Sequence, residues 1–177
     1  MNGVRCVVTG VNADGKAVFV RDAPVEPYMS QLGGAAFHQF WGSDDIVPLP
    51  SDGAEPVWSG YFPPSNGVRF NFFTMMPESR EIPPDLDVGA AYEELQQRLP
   101  GLSDVMEPDG PPGMHTTDTI DFGIVLDGDV WLELDDGAEV ELHRGDCYIQ
   151  NGTRHAWHNR TDRPVTIAVS LVGARRT

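Results

Sequence analysis

The sequence predicts an all-β domain interrupted by one short helix. Three observations carry that reading. Apolar residues come in short runs, the runs alternate with the two-residue period of a half-buried strand, and the 19 glycines and 15 prolines fall mainly between them. At 177 residues the chain has the length of one domain with room for a core.

The elements follow in order. "VRCVVTG" reads as a strand, "ADGK" as a turn and "AVFV" as a second strand. "AAFHQFWGS" alternates, with Phe37, Gln39 and Trp41 on one face and His38 and Phe40 on the other. From Asp44 to Asn66 the chain is rich in Pro, Gly and Asp and reads as a long surface connection. "VRFNFFTMM" is a strand, apolar on both faces except at Arg69 and Asn71. "DLDVGAAYEELQQRLPG" breaks the β pattern. Val88, Ala91, Leu95 and Leu99 form a helical stripe, Asp85 or Asp87 caps its start, and Pro100-Gly101 ends it. "EPDGPPG" is a stiff connector. "FGIVLDG" is a strand, "DVWLELDDGAEVELHRGD" a hairpin turning at "DG", "CYIQNGTRHAWHN" a strand interrupted by a turn, and "PVTIAVSLVG" a closing strand. Cys147 reads as a small buried hydrophobe within its strand. There is no internal repeat.

Composition excludes several functions. A net charge of -15 repels phosphate backbones and anionic lipid heads, and no helix-turn-helix segment is present, so neither nucleic acid nor membrane is an expected partner. Cys6 and Cys147 make no disulfide framework and no CxxC pair. With no signal-like start and no apolar run near the ~18 residues a bilayer requires, the expected location is cytoplasmic.

The chemistry concentrates in "GMHTTDTIDFGIVLDGD", from Gly113 to Asp129. His115, Thr117 and Asp121 share parity, so on a strand all three point to one side, with Gly123 and Val125. A carboxylate and an imidazole aimed into a β interior are costly unless something bonds or neutralises them. A divalent metal does so. His155 lies beyond the hairpin, on a strand able to return beside the first. Two imidazoles and one carboxylate, with open positions left, make the ligand set of mononuclear non-haem iron sites, and manganese, nickel or zinc accept it too. A metal-free polar cluster is the competing explanation. His158 is opposite in parity to His155 and reads as exposed. Trp157 shares the parity of His155 and leans into the same cavity, as core, pocket wall or both. Gln150 and Asn159 are candidates to orient ligands, and Asn159 also suits a cap for the turn at "NRTD". Arg69, if its face is inward, would anchor a substrate carboxylate or enolate.

These residues resemble the cupin superfamily. Its first motif, G-x5-H-x-H-x(3,4)-E-x6-G, anchored at Gly128, places its glutamate on Asp121, its second histidine on Thr117 and its first on His115. Its second motif, G-x5-P-x-G-x2-H-x3-N, finds Gly145, Gly152, His155 and Asn159 in "GDCYIQNGTRHAWHN", with Asn151 at the expected proline and a turn one residue shorter. The resemblance covers roughly Gly113 to Leu171, and the whole chain is similar to small bacterial single-cupin proteins of unassigned chemistry. It implies a single jelly-roll β-barrel with a central metal, usually in a homodimer. The chain then divides into N-terminal extra strands with dimer contacts (1–80), a short helix and connector before the metal motif (81–112), and the cupin core (113–177), all within one structural domain. Thr117 stands where the second metal histidine belongs; a hydroxyl is a poor metal ligand, so the expected set is His115, Asp121 and His155, with Thr117 bonding a metal water. Asp121 is also one methylene shorter than the glutamate it replaces.

Three functions are compatible with these residues. The first is a metal-dependent enzyme of oxygenase type acting on a small apolar or aromatic molecule, a preference drawn from the aromatic strands around Phe37, Phe70, Phe72 and Trp157. The second is a redox-neutral lyase, decarboxylase, dehydratase or cyclase on the same ion. The third is a non-catalytic small-ligand-binding cupin.

Overall fold

The computed structural model of the chain describes residues 2–32 and 34–177. Strands β1 (Val4–Val11) and β2 (Ala17–Val25) pair as an antiparallel hairpin of their own. The remaining strands are β3 (Tyr28–Met29), β4 (Ala35–Ser43), β5 (Val68–Met75), β6 (Thr119–Asp127), β7 (Val130–Glu133), β8 (Glu139–Leu142), β9 (Cys147–Gln150), β10 (Ala156–His158) and β11 (Val165–Gly173). Six of them form one sheet in the order β3-β4-β5-β11-β6-β9, and three form a second in the order β10-β7-β8. Every pairing is antiparallel and the order is non-sequential, which is jelly-roll topology.

The period-two reading explains which side chains face the interior. On β11, Ile167, Val169 and Leu171 are buried. They pair across β6 with Val125, Gly123 and Asp121. From the small sheet, Val130 joins the same core and Leu142 packs against it. The β7–β8 connection turns with Asp136 at φ 58° and Gly137 at φ 71°, the left-handed conformations that a "DG" pair supplies.

Helix α1 (Val88–Arg98) starts where Asp87 accepts a hydrogen bond from Ala90 N and ends with Leu99 N bonded to Leu95 O. Ala91, Leu95 and Leu99 are buried, Leu95 and Leu99 within the core of the sandwich, whereas Val88 in the first turn is exposed. No helix among the described residues is long and apolar enough to cross a membrane.

Three expectations change here. The stretch from Asp44 to Asn66 is no mere surface connection. Its end folds inward, burying Tyr61, whose N–H donates to Pro100 O at 2.9 Å. Arg69 and Asn71, the polar breaks in β5, are both fully interior. Cys147 is exposed, because the alternation of β9 turns Tyr148 and Gln150 inward instead.

Candidate functional site

A cavity of about 510 Å³ opens between the sheets, walled mainly by hydrocarbon from Phe37, Phe73, Leu95, Leu102 and Val169. That size and lining suit a small organic ligand. Phe37 stacks on Phe73 at 5.3 Å and meets Tyr61 edge-on at 5.6 Å. His115, Asp121, His155, Tyr148 and Trp157 interrupt the apolar wall.

The two histidines are brought together by backbone pairing. His115 N bonds His155 O and His155 N bonds His115 O, both at 2.9 Å, an isolated bridge that closes the barrel. The rings lie 4.2 Å apart at 48°. Each ring is oriented the same way. His115 Nδ1 lies 2.8 Å from Gly113 O and His155 Nδ1 lies 2.9 Å from Thr153 O. A carbonyl only accepts, so Nδ1 carries the proton and Nε2 keeps its lone pair. Gln150 Nε2 donates to the same Thr153 carbonyl at 3.0 Å and steadies it. A metal-binding histidine is held in this way. Burial lowers both imidazoles. His155 falls to about 4, helped by the neighbouring His115, while His115 is partly restored by the Gly113 carbonyl and Glu107.

Asp121 lines the same cavity. Its Oδ1 is buried without a hydrogen-bond partner, and burial lifts the carboxyl to about 6 against the opposing Thr119 hydroxyl. An orphaned carboxylate oxygen beside two free imidazole nitrogens is a donor set suited to a divalent cation. The set is not drawn tight, however. Among the described residues the three-residue group with ligand atoms within 4.8 Å of one another is Glu133, Glu139 and His158, not His115, Asp121 and His155. The short aspartate reaches less far than the glutamate whose position it takes.

Two other expected site residues lie elsewhere. Thr117 is buried but absent from the cavity wall; its hydroxyl accepts from Thr119 Oγ1 at 2.9 Å, so it is not placed to bond a metal water. Arg69 cannot anchor a substrate. Its guanidinium donates to Gly60 O, Ser43 O and Val68 O, pairs with Asp44, lies over Trp58 and is fully buried away from the cavity. The 44–66 stretch supplies two of these acceptors, Gly60 O and the Asp44 carboxylate, and the strands β4 and β5 supply the other two. Trp157 does form wall, edge-on to His155 at 6.1 Å and against Tyr148 at 4.7 Å. Asn159 caps its turn, accepting from Thr161 N and donating to Met75 O and Arg163 O.

The sequence reading missed Tyr61 and Tyr148. Burial pushes both phenols up, and the Asp121 carboxylate acts in the same direction. Tyr148 was signalled by its parity with Gln150. Tyr61 sits in a stretch with no periodicity to place it.

A jelly roll with paired imidazoles at the meeting of its two sheets defines a class of small β-barrel proteins. The comparisons name it. Residues 104–172 match the family model described as Cupin domain. The phomopsin biosynthesis cluster protein C' of Diaporthe leptostromiformis is 48% identical over 67 residues, 36% of this chain and 35% of that protein. Two proteins described as cupin-domain oxidoreductases align more fully at 26% identity. VirC of Hypocrea virens aligns over 87% of this chain and 66% of its own length, and srdB of Neurospora crassa over 93% and 71%. The chain thus spans about a third of the first relative and about two thirds of the others. The cupin domain of Schizosaccharomyces pombe Cnp3 superposes with a TM-score of 0.46 at 9% identity, over 98% of this chain and 88% of that one.

Proposed function

We propose that this chain is a metal-dependent cupin enzyme of oxidoreductase type, acting on a small apolar or aromatic molecule held in the cavity. The observation that carries the proposal is the imidazole pair: two histidines on one apolar cavity, each with Nδ1 fixed by a carbonyl and Nε2 left with its lone pair. His115 and His155 would hold the ion, and Asp121 would supply the neutralising carboxylate. When bound, the ion supplies Lewis-acid polarisation of a substrate oxygen or, if redox-active, a one-electron route. The chain's own residues exclude water with the Phe37–Phe73 wall, fix the ligand tautomers and orient the substrate against Trp157. Relatives described as cupin-domain oxidoreductases support the redox reading over a lyase or a binding protein.

The test has two stages. Protein purified without chelator should carry close to one equivalent of iron, manganese, nickel or zinc. A screen of phenolic and β-keto acids should then give turnover in air that is lost under argon. Turnover that persists under argon moves the protein to the redox-neutral class, and a metal-free, inactive preparation leaves a binding protein.

The homodimer belongs to the same proposal. The outer face of the six-stranded sheet exposes Phe70, Phe122 and Ile149 with no charged residue among their cross-strand partners, and two copies of a chain of charge -15 meet with least repulsion on such a stripe. Sedimentation at micromolar concentration should return twice the chain mass.

A further inference from the structure

Asp121 Oδ1 on the cavity wall is buried without a hydrogen-bond partner, and Asn71, almost fully buried on β5 and not itself part of the wall, makes no close hydrogen bond beyond its approach to the Tyr61 phenol. Two phenols meet the cavity there. Tyr61 reaches it from the inward-folded connection and lies next to the Asn71 amide. Tyr148 comes from β9, directly across from Gly123 of β6. A Cβ on Gly123 would fall 2.2 Å from the Tyr148 Cζ and 2.4 Å from its hydroxyl oxygen. The phenol therefore lies flat on bare backbone, a placement that only glycine opposite permits. Trp157 backs its ring from the other side.

We propose that the hydroxyls of Tyr61 and Tyr148 together form the anchor for a carbonyl or enol oxygen of the ligand, which makes the substrate class ketones and their enols with an apolar or aryl body. The inference rests on the proposed reading of the cavity as a small-molecule site and deepens it. A phenol keeps its proton at neutral pH and donates, and a carbonyl oxygen has two lone pairs for two donors.

The measurement compares acetophenone with α-methylstyrene, which replaces the carbonyl oxygen by CH2 at nearly the same shape. Dissociation constants are taken by ligand-observed NMR on chelator-treated protein, for wild type, Tyr61→Phe, Tyr148→Phe and the double variant. The ratio of the α-methylstyrene constant to the acetophenone constant should fall about tenfold in the double variant and less in each single one. Affinity for α-methylstyrene should hold within about twofold, which shows the cavity intact. An unchanged ratio overturns the inference. So does loss of α-methylstyrene binding in the variants, since the phenols would then be wall alone. If wild type binds no probe, the reading of the cavity as a ligand site fails as well. Metal plays no part in the measurement, so its outcome leaves the metal question where the metal analysis puts it.

Discussion

His155 and His158 stand three residues apart around one short strand and have opposite surroundings. His155 faces the cavity, donates from Nδ1 to the Thr153 carbonyl and keeps Nε2 free. His158 faces outward, with Nδ1 2.7 Å from Glu78 Oε1 and Nε2 2.7 Å from Glu133 Oε2. Both ring nitrogens are thus taken up by carboxylates. The first ring keeps one nitrogen free for a ligand, and the second has both nitrogens occupied in a network of acidic groups that also holds Arg160 on Glu139. Proximity of acidic groups and a histidine is therefore a poor guide to a metal. The Glu133, Glu139 and His158 atoms gather more closely than the cavity residues do, yet charge partners already occupy them.

The largest expected effect breaks that contrast directly. His155→Ala should lower bound metal at least tenfold after dialysis, because a single imidazole and a carboxylate hold a divalent ion poorly. His158→Ala should leave the metal content within about twofold of wild type. Elemental analysis of the two variants side by side decides it. Metal lost from His158→Ala and kept in His155→Ala would move the metal centre to the outer face.

Asp121→Asn sharpens the inner half of the comparison, because it should act oppositely on metal and on stability. Burial raises the Asp121 carboxyl in the fold to about 6 from an ordinary 3.8. The folded state thus disfavours its ionised form, and a cost grows as pH rises from about 4 through 6. Asparagine carries no such charge. In chelated protein the variant should gain roughly 2–3 kcal/mol over wild type at pH 8 and nothing below pH 4, read as urea midpoints. His155, held down to about 4, behaves with the reverse sign: its contribution is present above pH 6.5 and is lost as pH falls toward 4. It is common to both proteins and cancels in the difference. Metal affinity should fall in the same variant. A variant less stable than wild type at pH 8 would mean that Asp121 is held by partners and not waiting for one.

The elements of this contrast were unequally legible in the sequence. Parity placed Asp121, Trp157 and the inward residues of β6 and β11, because a strand buried on one face obeys its period, whereas His115, ahead of β6, is held in place by its backbone bridge to His155. The same rule predicted the outward face for His158 but not its carboxylate partners, since Glu78 and Glu133 arrive from other parts of the chain. Thr117 had the right parity yet lies before β6 begins, where the extended geometry that parity assumes does not hold. Arg69 was misjudged because two of its acceptors, Gly60 O and the Asp44 carboxylate, come from a stretch of Pro, Gly and Asp residues whose path no periodicity reveals. Tyr61 was invisible for the same reason. Local pattern fixes which way a strand residue points, and the closing of the cavity depends on where irregular chain returns.

The smallest effect tests the outer half. The His158 and Glu133 side chains are 14% and 16% exposed, while Glu78 is 50% exposed. Solvent screens the second pair more than the first, so the two ion pairs of one imidazole should differ in strength. A double-mutant cycle with His158→Gln and Glu133→Gln should give a coupling near 1 kcal/mol, and the cycle with Glu78→Gln a few tenths at most. Both should shrink in roughly 1 M salt, the first by the smaller fraction. Equal couplings, or a His158–Glu78 term larger than the His158–Glu133 term, would show that burial does not set the strength of this network. The outer histidine would then be held by something other than the partly desolvated pair on β7.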